Sequence, residues 1–265
     1  MKNDISDKND GNQEHISGIY NYCDRWCERC PFTSRCLNFE MSEEKFGDLQ
    51  SADVTNEAFW EKLGETLHET LTMVKEMAAE KGIDLDAIDI EEEQAGRRFV
   101  ENSVAHMTTH LAKSYISMTN DWFDANVYIY EDEGGAFEAI SAPNSTYSTP
   151  RKDTRPLIDG VDVIRWYQHQ IYVKLKRAYH SIQDEKLEEL DDFPKDSDGS
   201  TKVALIGIDR SISAWGEILK FLPDQEEKIL GIVAHLERLR NRTEADFPDA
   251  RAFVRPGFDE KEQRL

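Results

Sequence analysis

All four cysteines of the chain, Cys23, Cys27, Cys30 and Cys36, fall within the fourteen-residue run CDRWCERCPFTSRC. Thiolates are soft ligands, and four of them so close in sequence repel one another unless a cation or an inorganic cluster neutralises their charge. Cytoplasmic thiols stay reduced. The spacing C-x3-C-x2-C-x5-C therefore reads as one shared metal centre and not as a pair of disulfides.

A structural four-cysteine zinc site takes two C-x2-C knuckles separated by a longer insert, whereas four cysteines in one compact loop suit a larger core wrapped by a single segment. That favours a [4Fe–4S] cluster, with Zn2+ as the alternative. Pro31 follows Cys30 directly, and Trp26 and Phe32 can exclude water. Arg25, Arg29 and Arg35 can offset the charge of about −2 on a four-thiolate cluster. Four protein ligands leave no open iron, so a structural, electron-transfer or sensing role is expected over Lewis-acid catalysis.

The segment CERCPFTSRC, with Cys27, Cys30 and Cys36 as C-x2-C-P-x4-C, resembles the last three ligands of the cluster loop of the helix-hairpin-helix DNA glycosylases. There such a loop implies a structural [4Fe–4S] cluster. The likeness covers only this loop: the first gap is three residues rather than six, and no helix-hairpin-helix signature follows. It implies the cofactor and not the glycosylase activity. Cys23-x3-Cys27-x2-Cys30 also has the radical SAM spacing, but Arg29 stands where an aromatic is usual, and Cys36 can fill the iron site that S-adenosylmethionine needs.

A second set of metal-capable residues is histidine. His106 and His110 lie four apart and share one side of a helix. With His68 they would form a three-histidine site, resembling DinB-like helical bundles in residue type and order and implying a metal-dependent enzyme. The same histidines also suit plain hydrogen bonding at a helix interface. Glu65-x-x-His68 is a single copy of the motif that di-iron bundles use twice. The acidic stretch around Asp196 and Asp198 fails as a calcium loop, since the fitting frame puts Leu205 where a bidentate Glu must stand. No P-loop, dinucleotide fingerprint, G-x-S-x-G or H-E-x-x-H run is present.

Around these residues the chain has 53 Asp and Glu against 32 Lys and Arg, a net charge of −21 over 265 residues. That field repels phosphate and argues against nucleic acid as a partner. A protein partner is expected, and the oligomeric state stays open. Basic residues at Arg97 and Arg98, at Lys174, Lys176 and Arg177, and at Arg238, Arg240 and Arg242 sit near Glu or Asp and read as ion pairs. The longest aliphatic run, 203–208, is far short of the ~20 residues that span a bilayer. Residues 1–18 have no apolar core of a secretory signal, so a cytoplasmic location is expected.

The elements that must position these residues are helices. The class is mainly α: a bundle of about five helices with an N-terminal cysteine-rich metal-binding module. Residues 1–18 read as a disordered tail, 19–46 as the cysteine module, and 47–265 as the bundle, with a loop at about 131–157. Apolar stripes predict helices over about 58–81, where Trp60, Leu63, Leu67, Leu71, Val74 and Ala78 align, then over about 91–124 and 158–190. A fourth helix is expected from a Ser200 cap to about 221, and a fifth from 225 to about 244 beyond Pro223. Residues 126–130 read as a short strand or frayed helix. Gly207, Ser211 and Ser213 would let a neighbour approach closely, and Phe247, Phe253 and Phe258 would drape over the bundle.

Overall fold

The computed structural model describes residues 15–47, 57–82, 106–126, 155–187 and 195–259. Among the described residues the regular structure is helical, without strands: α1 Leu37–Phe46, α2 Glu57–Glu80, α3 His106–Asp124, α4 Arg155–Leu187, α5 Asp196–Phe221 and α6 Glu226–Asp246. None of these helices is long and apolar enough to cross a membrane. The expectations for residues 1–14, for the start of the helix at 91, for 127–130 and for 131–154 lie outside the described residues.

The chain divides into two compact units, Met1–Arg97 with Arg255–Leu265, and Arg98–Val254. The first long helix, α2, thus groups with the cysteine segment rather than with the four helices after it.

In the second unit α3, α4, α5 and α6 form a closed four-helix arrangement in which each helix packs on two others. The stripes meet in the middle. Ile164, Tyr167, Ile171 and Leu175 of α4 are buried with Leu205, Ile208, Trp215 and Ile218 of α5, and Ile229, Leu236 and Leu239 of α6 join them. Trp215 is fully buried; Trp122 of α3 meets its ring edge-on at 4.9 Å, and its indole N–H donates to the Tyr115 hydroxyl at 3.3 Å. The α4–α5 pair is the closest, and Gly207 shows why: a Cβ there would stand 2.9 Å from Tyr167 Cδ1 and 3.1 Å from Ile171 Cγ1. Ser211 is buried as expected, whereas Ser213 is exposed.

Polar pins fix the ends. The Asp246 carboxylate accepts from Thr108 at 2.8 Å, Tyr179 at 2.5 Å and Arg242 Nε at 3.0 Å, joining α3, α4 and α6. Burial first, and Asp246 next, hold the Tyr179 hydroxyl well above the ordinary tyrosine range. His235 is buried and its Nε2 lies 2.7 Å from the Leu111 carbonyl oxygen.

Three expectations are corrected. Ser200 is not the cap of α5. The helix starts at Asp196, because the Glu185 carboxylate accepts from Ser197 N–H and Oγ at 2.7 Å each and so serves the free N-terminal donors from another helix. The loop ends before 157: α4 begins at Arg155, with Pro156 in its first turn, where its missing N–H costs nothing. The tail does not lie wholly over the bundle. Phe247 packs on Tyr179 with ring centroids 5.0 Å apart, but Phe258 meets the edge of Phe32 in the cysteine segment at 5.1 Å.

Candidate metal centre

The cysteine segment is built from three short turns, Ile19–Asn21, Cys27–Arg29 and Thr33–Arg35, leading into α1. The first precedes Cys23, and the other two lie within the Cys27–Cys30 and Cys30–Cys36 intervals. Cys30 N–H donates to the Cys27 carbonyl at 3.1 Å, which folds the C-x2-C pair back on itself, and Cys36 N–H donates to Thr33 at 3.2 Å before α1 begins. Between Cys23 and Cys27 the Asp24 carboxylate accepts from Trp26 N–H at 3.2 Å, and Arg25 takes a left-handed φ of 58°. A bulky residue rarely adopts that backbone, and such strain concentrates at ligand-holding turns.

The unit's own tail steadies this segment. Ile16 N–H donates to the Arg35 carbonyl at 3.0 Å, and Ile16 and Ile19 lie against Gly257, where a Cβ would come within 3.0 Å of Ile16 Cδ1. With a φ of +74°, only glycine suits that position. The Arg29 guanidinium covers the Trp26 ring at 4.0 Å, and Arg255 covers Phe258 at 4.8 Å.

None of the four cysteines is in a disulfide, and each is half-buried. Two have shifted acidities. Burial pushes the Cys27 thiol up, and the negative charges that Cys23, Cys30, Glu28 and Cys36 can carry push it further. Burial also raises the Cys30 thiol, Phe32 N–H opposes it from 3.5 Å, and Cys23, Asp24 and Cys36 add to the rise. Cys27 therefore lies within electrostatic reach of the other three thiols, and Cys30 of Cys23 and Cys36. They do not close on one point: among the described residues no group of three or more His, Cys, Asp or Glu side chains stands ready to hold a metal ion.

The chemistry of the donor set nonetheless fits a thiophilic centre. Four soft donors outside any disulfide share one loop, their thiolate forms repel until protons or a positive guest neutralise them, and an N–H already points at one sulfur.

The histidines are placed differently. His68 is exposed on α2 in the first unit, and His110 is exposed on α3 in the second, its Nδ1 3.5 Å from Ser114 Oγ. His106 opens α3. Glu65 and His68 are both exposed. Of the basic groups, Arg177 pairs with Asp196, Arg240 with Glu237 and Asp209, and Arg242 with Asp246. Sequence reasoning missed the Asp24 turn, the strained Arg25 and the return of Gly257. Only Pro256-Gly257, a turn dipeptide, signalled the last.

No protein-family model, curated protein or solved structure matches the chain.

Proposed function

We propose that residues 23–36 hold a thiolate-ligated inorganic centre, a [4Fe–4S] cluster, in a cytoplasmic protein where it serves a structural, electron-transfer or sensing role. The observation that carries this reading is the gathering of four half-buried cysteines, none in a disulfide, in the short-turn segment that leads into α1. Such a centre, when bound, supplies positive charge and fixed geometry. The chain supplies the rest: Phe32 N–H donates toward Cys30 Sγ, Trp26 and Phe32 stand in the loop where they would shield such a centre, and Arg25, Arg29 and Arg35 would balance its charge.

The structural role comes first, because four protein ligands saturate the centre. The test is anaerobic purification of the full chain with iron, acid-labile sulfide and zinc analysis. About four iron and four sulfide per chain support the proposal. About one zinc keeps the thiolate centre but replaces the cluster with a zinc-stabilised interaction module. A folded chain carrying neither, with all four thiols titratable, overturns both. Reversible reduction of the loaded protein, abolished by Cys30→Ser, would assign electron transfer in place of the structural role.

A further inference from the structure

The last described turn of the chain returns to the cysteine segment, and all of it belongs to the first unit. Within residues 255–259 the Phe258 and Asp259 N–H groups donate to the Arg255 carbonyl at 3.2 and 3.1 Å. The Asp259 carboxylate accepts from the Arg255 N–H at 3.0 Å and from its guanidinium at 2.9 and 3.0 Å. The turn thus holds its own shape.

Its seat on the cysteine segment is apolar. Gly257 lies against Ile16 and Ile19, and the Phe258 ring meets the edge of Phe32. Ile19, only 2% exposed, is the buried side chain of that segment, and this turn is part of what covers it. The contacts fall on both flanks of the four cysteines. Residues 16–19 lead through the Ile19–Asn21 turn to Cys23, whose Sγ lies 3.6 Å from the Tyr20 carbonyl oxygen. Phe32 gives its N–H to Cys30 Sγ, and Ile16 N–H is tied to the Arg35 carbonyl, next to Cys36. A guest held by several thiolates leaves by losing them in turn, and a ligand whose flanks are fixed rebinds before the next one lets go.

We propose that residues 255–259 are a clasp that controls how fast the thiolate centre loses its metal. The proposal rests on the reading of residues 23–36 as a metal site. Seated, the clasp keeps Ile19 out of water and holds Phe32 where its N–H faces Cys30. Lifted, it frees both flanks at once.

The test uses the full chain as purified without oxygen, with Gly257→Val, Phe258→Ala and Phe258→Tyr beside it. Iron or zinc remaining on each chain is followed under excess EDTA, and rates are compared per bound metal. Gly257→Val forces a Cβ into the Ile16 and Ile19 seat at a φ of +74°, and Phe258→Ala removes the ring contact. Both should lose metal about tenfold faster or more, while Phe258→Tyr, which keeps the ring, stays near the native rate. A variant purified empty counts as fast loss when its circular dichroism and the unfolding of its four-helix unit match the native chain. Native rates in both disruptive variants, or loss as fast in Phe258→Tyr as in Phe258→Ala, would overturn the clasp and leave the metal site standing. A native chain that carries no metal, with its four thiols titratable, would overturn the metal site and the clasp with it.

Discussion

The two units of this chain are ordered by different means. In the four-helix unit Tyr115, Ile164, Leu205, Trp215 and Leu236 are fully buried, and four amphipathic helices close around them. Among the described side chains of residues 15–47, Ile19 alone is buried. Helices of the first kind hold together by removing apolar surface from water. A segment of the second kind buries too little for that, and small units of this sort in general lean on a cross-link or a metal. The comparison teaches where the proposed centre would act: it would take the place of a core.

The largest effect should come from removing one ligand. Cys30→Ser is expected to lower metal content below about a tenth of the native value and to leave the thermal unfolding of the four-helix unit unchanged. Melting of both units together would erase the contrast. Loading should also fall with falling pH, since each thiol must release its proton to bind. Burial makes Cys27 and Cys30 weaker acids than ordinary thiols, which moves that fall to higher pH.

Trp215→Ala sharpens the other side. It should destabilise the helical unit by about 3–5 kcal/mol in denaturant unfolding and leave metal content untouched. Asp246→Asn removes the charge on which Thr108, Tyr179 and Arg242 converge, with an expected cost of about 1–3 kcal/mol. Its signature is optical. The native Tyr179 pKa is raised, so its contribution to stability is present below the ordinary value near 10 and is lost as pH climbs through the native one. In the variant Tyr179 should titrate lower; an unmoved absorbance titration would contradict the role given to Asp246. Gly207→Ala sets a Cβ against Tyr167, and the gain in helix propensity offsets part of the strain, leaving a net loss of about 1 kcal/mol. Smallest is Lys45→Ala, which breaks an exposed pair with Glu69 and should leave unfolding of the first unit unchanged within error.

The helices were legible in the sequence because periodicity is local: the stripe from Trp60 to Ala78 gives α2 within a residue or two of its ends, and Pro223 marks the break before α6. What was not legible depends on distant partners. Ser200 has the right residue type for a cap, yet the acceptor that starts α5 comes from Glu185 on α4. Phe258 reads as one more aromatic until Phe32 is found beside it. At the candidate site the spacing of Cys23, Cys27, Cys30 and Cys36 points to shared ligation, and the turns bring the thiols into electrostatic reach. They do not close on one point, and under the proposal it is the guest that would draw them together.

Hydrogen exchange on the full chain, measured by mass spectrometry before and after chelation under reducing conditions, tests the central claim most directly. The account predicts that amides of residues 15–47 are protected in the loaded protein and exchange at nearly unfolded rates once the metal is gone, while α3 to α6 stay protected throughout. Equal protection of residues 15–47 in both states, with the four thiols free, would contradict it.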